Sequence, residues 1–364
     1  MVGDVRLSVF RRDGNRSACD TTVRGVKRIL QIVFIIALTG FFLGLFLWKS
    51  NLHEVWTIMK AVDPLWLIAG LLINFSALLF RTQRWRTLIG GPDMPEFYPT
   101  FFATCTGYML STVLPIRAGD VARPALLARR SKVRFVDALG TVLSERILDL
   151  FSILGLFVYF CIVHWNDFPG RQRVIHGGGA GSAGVLLALS LFMIGLWFSS
   201  GSVRRLHEWL GRLLPKRFRE PWMRFFDAFV KTLDIVHRPA ALLTVLGSTA
   251  GIWLCLTAQY WAVMKAFHHV LPFDSTYFIG AVTTVGIAIP TPGGVGGFHK
   301  LCQWLLTTYY AFDIDHSVAI TVLFHIVGTL PVVVVGVALL LREGLRFREL
   351  TAAGQERVDP SASV

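Results

Sequence analysis

The chain has 364 residues, 54% of them hydrophobic and only 16% charged, with a mean hydropathy of +0.56 and a formal net charge of +13. Soluble domains carry about a quarter charged residues, so most of this surface cannot face water, and a soluble enzyme or nucleic-acid-binding protein is excluded. The basic excess has to be read by where it falls along the chain. The five cysteines are odd in number and scattered; no CxxC or cysteine–histidine spacing suggests a metal site, and they read as small apolar fillers.

In chain order, a basic tail (1–28) precedes an apolar run, Ile29–Trp48, about long enough for a helix to cross ~30 Å of hydrocarbon. No small-residue cleavage site follows it, so it reads as a retained span. The next run, near 65–80, ends in Arg81, Arg84, Trp85 and Arg86, a pattern of interfacial anchoring in the headgroup region. Residues 97–114 are apolar but lie between two basic loops, which suggests an element that enters and leaves on one side. Further spans are expected near 138–164, 183–199, 240–264 and 317–341, with Gly177–Gly179 in an exposed loop. Between them, 200–238 mixes Trp209, Leu213, Trp222, Phe225 and Phe226 with basic residues, as amphipathic helices on the inner leaflet do. The apolar stretch 276–312 is broken by Ile289-Pro290-Thr291-Pro292-Gly293-Gly294-Val295-Gly296-Gly297 and reads as a second broken element, with a helix restarting near Phe298. A basic tail, 342–364, closes the chain.

Of the 36 Lys and Arg, 29 fall in 1–28, 81–97, 115–137, 200–238 and 342–364. Basic residues beside spans stay in the cytoplasm, so both termini are expected inside. The fold class is therefore an all-α polytopic membrane protein with six full spans and two re-entrant or broken helical elements. Three spans and one such element in each half suggest an inverted repeat, an arrangement in which substrate sites lie at broken helices.

Three clusters carry chemistry. In Pro115–Pro124, Arg117 and Arg123 stand where the first broken element reaches the basic side, and Asp120 is placed to cap the helix that follows. Arginine's planar fork suits phosphate; the alternative is ordinary topology-setting arginines. In the 138–164 span, Glu145, Arg146 and Asp149 share one arc, and Arg146 can pair with Asp149 three residues on. Charges at that depth need an interior or wet setting, either as a structural ion-pair network or as a substrate site. In the second break, Pro292, Gly293, Gly294 and Gly296 precede a helix N-terminus that attracts anions, with His299 and Lys300 beside it; a simple kink is the alternative. Gln259 and Tyr260 read as helix–helix hydrogen-bonding residues, and His325 as a satisfied interior histidine. No GxSxG, HExxH or P-loop motif occurs, and the glycine-rich stretch from Gly177 has no strand before it and so is no phosphate cradle; neither catalysis nor a cofactor is expected, and transport without an ATP site would be passive or ion-driven.

The motifs Leu-Pro-Ile-Arg-Ala-Gly-Asp-Val-Ala-Arg (114–123), Leu-Ser-Glu-Arg-Ile-Leu-Asp-Leu (143–150) and Ile-Pro-Thr-Pro-Gly-Gly-Val-Gly-Gly-Phe (289–298), in that order, resemble the transmembrane region of lysylphosphatidylglycerol synthases, also called the flippase-like membrane family. The resemblance covers roughly residues 25–345. It implies a bacterial inner-membrane protein that handles anionic or isoprenoid-phosphate lipids, often beside envelope glycosyltransferases. It places Arg117, Gly119, Asp120, Arg123, Glu145, Arg146, Asp149, Pro292, Gly293, Gly294 and Gly296 on motif positions. Two departures matter. The aminoacyl-transferase domain of the full synthases is not in this sequence, so lysyl transfer is not expected. Family members commonly carry a Glu after the glycine run, where His299 and Lys300 stand here; this favours an anion site over a cation site. The expectation is a lipid translocator in which Arg123 and Arg146 bind phosphate, with backbone donors of Gly293–Gly297 on the opposite side. The alternatives are a scaffold for an envelope glycosyltransferase, or a membrane enzyme using Glu145 or His299 as a base. Membrane lipids are the expected partners, with no nucleic acid.

Overall fold

A computed structural model of the protein describes residues 33, 36–91, 94–114, 118–168, 170–198, 215–269, 271–289 and 291–344. The N-terminal tail, the C-terminal tail after Gly344, the start of the first apolar run, Cys19, Trp209 and Leu213 lie outside the described residues. Twelve α-helices are present among those described: α1 Ile36–Leu47, α2 Leu52–Lys60, α3 Pro64–Ile89, α4 Phe97–Val113, α5 Gly119–Arg130, α6 Phe135–Val163, α7 Gln172–Phe198, α8 Lys216–Leu233, α9 Pro239–Ala266, α10 Ser275–Ala288, α11 Gly297–Tyr309 and α12 Ile314–Arg342. Five of them (α3, α6, α7, α9 and α12) are long and apolar enough to cross a membrane.

Local chemistry sets the starts. The Asn51 carboxamide accepts from the His53 amide at 3.1 Å to open α2. Asp63 accepts from Leu65 N–H at 2.8 Å, with Pro64 in the first turn of α3, a position that needs no amide proton. Asp313 does the same for α12 through His316 N–H at 2.9 Å. The caps of α3 and α12 thus place polar groups at the starts of long apolar helices.

Contacts between helix ends define two ends of the bundle. The Asp63 amide donates to the Ala266 carbonyl at 2.9 Å, joining the start of α3 to the end of α9. At the other end, Arg238 before α9 lies 3.8 Å from where a Gly90 Cβ would stand. Helices α3 and α9 are thus antiparallel; they form the central pair, bridged in the interior by Asn74 Nδ2 donating to Gln259 Oε1 at 2.6 Å. Helices α4 and α5 form a hairpin with both feet at the end bearing the basic loops, because Tyr98 and Arg130 both donate to Glu343 after α12, at 2.8 and 3.0 Å. Helices α10 and α11 form a second hairpin whose feet lie at the opposite end, where His164 meets Asp274 at 2.9 Å and Arg171 covers Tyr309. Both hairpins pack on α6 and on α12, the first through α5 and α4 and the second through α10 and α11.

Two expectations are corrected. Gly177–Gly179 belong to α7 rather than to a loop. Lacking side chains, they let α7 close on α6, since a Cβ on Gly179 would lie 2.8 Å from that of Cys161. Arg84 and Trp85 are not interfacial anchors: α3 continues to Ile89, and both side chains are fully buried. Helix α7 shows mostly apolar residues outwards, such as Leu187 and Phe192, as a lipid-facing helix does.

Candidate functional site

The first hairpin closes on two glycines. A Cβ on Gly119 would fall 1.8 Å from the Gly107 carbonyl oxygen, and one on Gly107 would fall 2.7 Å from the Arg123 Cβ. Only bare backbone allows α4 and α5 to approach so nearly, and this approach slides Arg123 under α4. The second hairpin repeats the device, since a Cβ on Gly286 would lie 2.8 Å from the Gly297 carbonyl oxygen. The two tips meet: a Cβ on Gly293 would stand 3.0 Å from the Thr112 carbonyl oxygen at the end of α4.

One helical turn from that meeting point lies a buried charge cluster drawn from α3, α4, α5 and α6. Glu145, with no exposure, accepts a short ionic hydrogen bond from Arg123 Nη2, and Arg84 Nε stands 3.7 Å from its other oxygen. Arg84 Nη1 donates to Asp149 at 2.8 Å. Arg146 Nη2 donates to Asp120 at 3.0 Å, and its Nη1 lies 3.5 Å from Asp149. The Tyr108 ring carries Arg81 at 4.6 Å and Arg123 at 5.1 Å; Arg123 also lies 4.6 Å from the Trp85 ring. Cation–π contact strengthens as water is removed, so the aromatic pair holds Arg123 on both sides.

Four arginines (81, 84, 123 and 146) face three carboxylates (120, 145 and 149), leaving one positive charge in excess. Among the described residues Arg84 Nη2, Arg123 Nε and Arg146 Nε form no hydrogen bond, and neither do Arg84 Nε and Glu145 Oε1, which face each other at 3.7 Å as an ion pair. Buried guanidinium donors without partners cost free energy, and an oxyanion relieves that cost. Access lies at one edge: Arg146 and Asp120 side chains are 33% and 30% exposed, whereas Arg84, Arg123 and Glu145 are sealed.

The other predicted residues are placed as follows. Arg117 lies outside the described residues. Asp120 does not cap α5; Ala118 holds that position and the Asp120 carboxylate turns to Arg146 instead. In the second break, Pro292–Gly294 form a 3₁₀ turn, with Gly293 and Gly296 at φ 60° and 95°. Its backbone bonds locally, Gly294 N–H to Thr291 O at 3.1 Å and Val295 N–H to Pro292 O at 3.0 Å. His299 turns back to accept from Gly296 N–H at 3.4 Å, with the His325 ring tilted against it at 4.6 Å, so it closes the α11 start. Lys300 Nζ donates to Gln303 at 2.8 Å, and Gln303 to the Phe46 carbonyl, facing α1. His299 and Lys300 therefore have partners of their own, away from the arginine cluster. Gln259 and Tyr260 bond across helices, to Asn74 and Thr283.

Sequence reasoning missed Arg84, Arg81 and Tyr108 as members of the cluster. A signal was present: Arg81 and Arg84 lie three apart, on one face of α3 if the helix runs past Phe80.

Five helices long and apolar enough to span, with a largely buried, paired-charge cluster among the helices, define a multi-pass α-helical membrane protein. The family model described as Lysylphosphatidylglycerol synthase TM region matches residues 28–336, and the chain belongs to that family, whose membership points to a membrane lipid-related function. No curated protein matches the chain.

Proposed function

We propose that the protein moves an anionic or polyprenyl-phosphate-linked lipid between the leaflets of the inner membrane, in support of cell-envelope biogenesis. The observation that carries this reading is the buried cluster with excess positive charge, unpartnered guanidinium donors and one accessible edge, set beside the meeting point of two hairpins. Arg146 takes the phosphate at the open edge, displacing Asp120 as its partner. Arg123 and Arg84 position Glu145 and Asp149, and so shape the site. The headgroup passes between the hairpin tips, where Gly293 and Thr112 touch, while the tails stay in lipid.

The reading includes an inverted repeat. Helices α1–α6 and α7–α12 each supply an apolar helix, a short or amphipathic helix, one member of the central antiparallel pair, a glycine-closed hairpin and a last long helix. Each hairpin packs on the last helix of its own half and on that of the other, and this placement between the halves supports pseudo-twofold exchange of the hairpins' exposure, as alternating access requires. The basic end then faces the cytoplasm with both termini.

Native mass spectrometry of gently extracted protein tests the site. Wild type is expected to retain one anionic lipid class, and Arg146→Gln to lower its occupancy about tenfold or more, the worth of a charge-assisted hydrogen bond. A folded Arg146→Gln protein retaining the same lipid equally well would remove Arg146 from the site. A scaffold for a glycosyltransferase predicts instead a co-purifying protein and no selective lipid.

A further inference from the structure

A separate cavity of about 470 Å³ opens at the basic end, between the end of α3, the loop before α6, helix α8 and the start of α9. Its size is that of small-ligand pockets. Its charged lining is Lys132, Arg134, Arg224, Lys231 and Arg238 against Asp137 and Asp227. Arg134 pairs with Asp137 at 2.7 Å and Arg224 with Glu220 on its own helix. Lys132, Lys231 and Arg238 form no ion pair among the described residues. Among the described residues, three cations without an ion pair therefore face one space against a single unpaired carboxylate, Asp227, a net excess of positive charge, while Leu88, Met94, Val133 and Ile235 give it an apolar wall.

The cavity is built rather than incidental. A Cβ on Gly140 of α6 would lie 2.7 Å from that of Ala228 on α8, and Ser144 and Thr232 share a hydroxyl hydrogen bond at 2.5 Å, so α8 is clamped in place. Thr141 and Thr232 line the floor, and Thr141 accepts from Trp85 Nε1 at 2.9 Å. The Trp85 ring then stands between this space and Arg123, so the cavity and the buried cluster are distinct sites with one shared wall.

We propose that this cavity binds a phosphate-bearing anion, supplied as an acidic phospholipid headgroup or as a soluble phosphate compound. Flexible lysines and an arginine at a wet rim suit phosphate as point charges, and the apolar wall suits the first carbons behind it. The proposal stands whether or not the protein moves lipid.

The test uses the full chain in nanodiscs of phosphatidylcholine, with and without phosphatidylglycerol, comparing wild type, the triple variant Lys132→Gln/Lys231→Gln/Arg238→Gln, and Arg146→Gln. All three triple-variant positions are exposed, so folding is expected to survive. Inorganic pyrophosphate is titrated in pure phosphatidylcholine, and retained phosphatidylglycerol is counted by native mass spectrometry. The triple variant should weaken pyrophosphate binding about tenfold, or remove the phosphatidylglycerol that Arg146→Gln protein still retains. A pyrophosphate response identifies a soluble ligand as a source, and a phosphatidylglycerol response alone identifies the headgroup. The proposal is overturned if wild type binds neither probe, if the triple variant binds as wild type does, or if Arg146→Gln alone abolishes the binding.

Discussion

Glu145 is a carboxylate sealed between Arg123 and Arg84, and its neighbour Arg146 is a third exposed; the two residues differ in role as they differ in burial. Removing one partner from a buried pair leaves an uncompensated charge, which costs on the order of 3 kcal/mol or more. Glu145→Gln should therefore lower the thermal midpoint strongly, whereas Arg146→Gln should cost about 1 kcal/mol or less, with thermal unfolding in detergent as the measurement. Equal destabilisation would show that Arg146 is as structural as Glu145. The Glu145–Arg146–Asp149 arc and its i,i+3 pair were legible from helical spacing alone. Arg84 was not: basic residues at the end of an apolar run resemble headgroup anchors. Only the long-range packing of α3 against α6 makes Arg84 the partner of Asp149.

Among the elements, the hairpins depend on contacts that a methyl group would abolish. Gly119→Ala places a carbon where the Gly107 carbonyl oxygen already stands, so α4 and α5 must separate. The expected result is loss of monodisperse protein on size exclusion, and normal yield would contradict the close crossing. Proline and glycine made both breaks legible, because few other residues interrupt an apolar helix so sharply. The same reasoning misplaced Gly177–Gly179, of which Gly178 and Gly179 serve packing against Phe157 and Cys161 rather than chain reversal. At the far end, His164 follows α6 against the Phe160 ring, with Nδ1 at 2.6 Å from Asp167 and Nε2 at 2.9 Å from Asp274 before α10. Burial lowers its pKa, but the two carboxylates outweigh burial and hold it above the ordinary imidazole value. Its stabilising contribution is thus full below roughly pH 6.5 and lost as pH rises through the raised pKa. The midpoint difference between wild type and His164→Gln should shrink from about pH 6 towards pH 9; a constant difference would mean that the contact does not depend on the imidazolium.

For the molecule as a whole, charge is distributed unevenly along the chain, most Lys and Arg falling in a few segments between the apolar runs. The antiparallel α3–α9 pair forms the centre, and both hairpins pack on α6 and on α12. The number and order of apolar runs conveyed the all-helical membrane class, because hydrocarbon leaves the backbone few alternatives. How the hairpins cross between halves was not legible, since no residue-level repeat marks it and the contacts join residues far apart in sequence. The central claim is that the protein moves anionic lipid through the Arg146 edge. Purified protein in liposomes carrying acyl-labelled phosphatidylglycerol tests it most directly, by measuring how much label an impermeant external quencher reaches over time. Wild type should carry the inner-leaflet label outward until the quencher reaches nearly all of it, with Arg146→Gln about tenfold slower or worse. If only the outer leaflet's share is ever quenched with wild type, or if both proteins give the same rate, translocation through this site is contradicted.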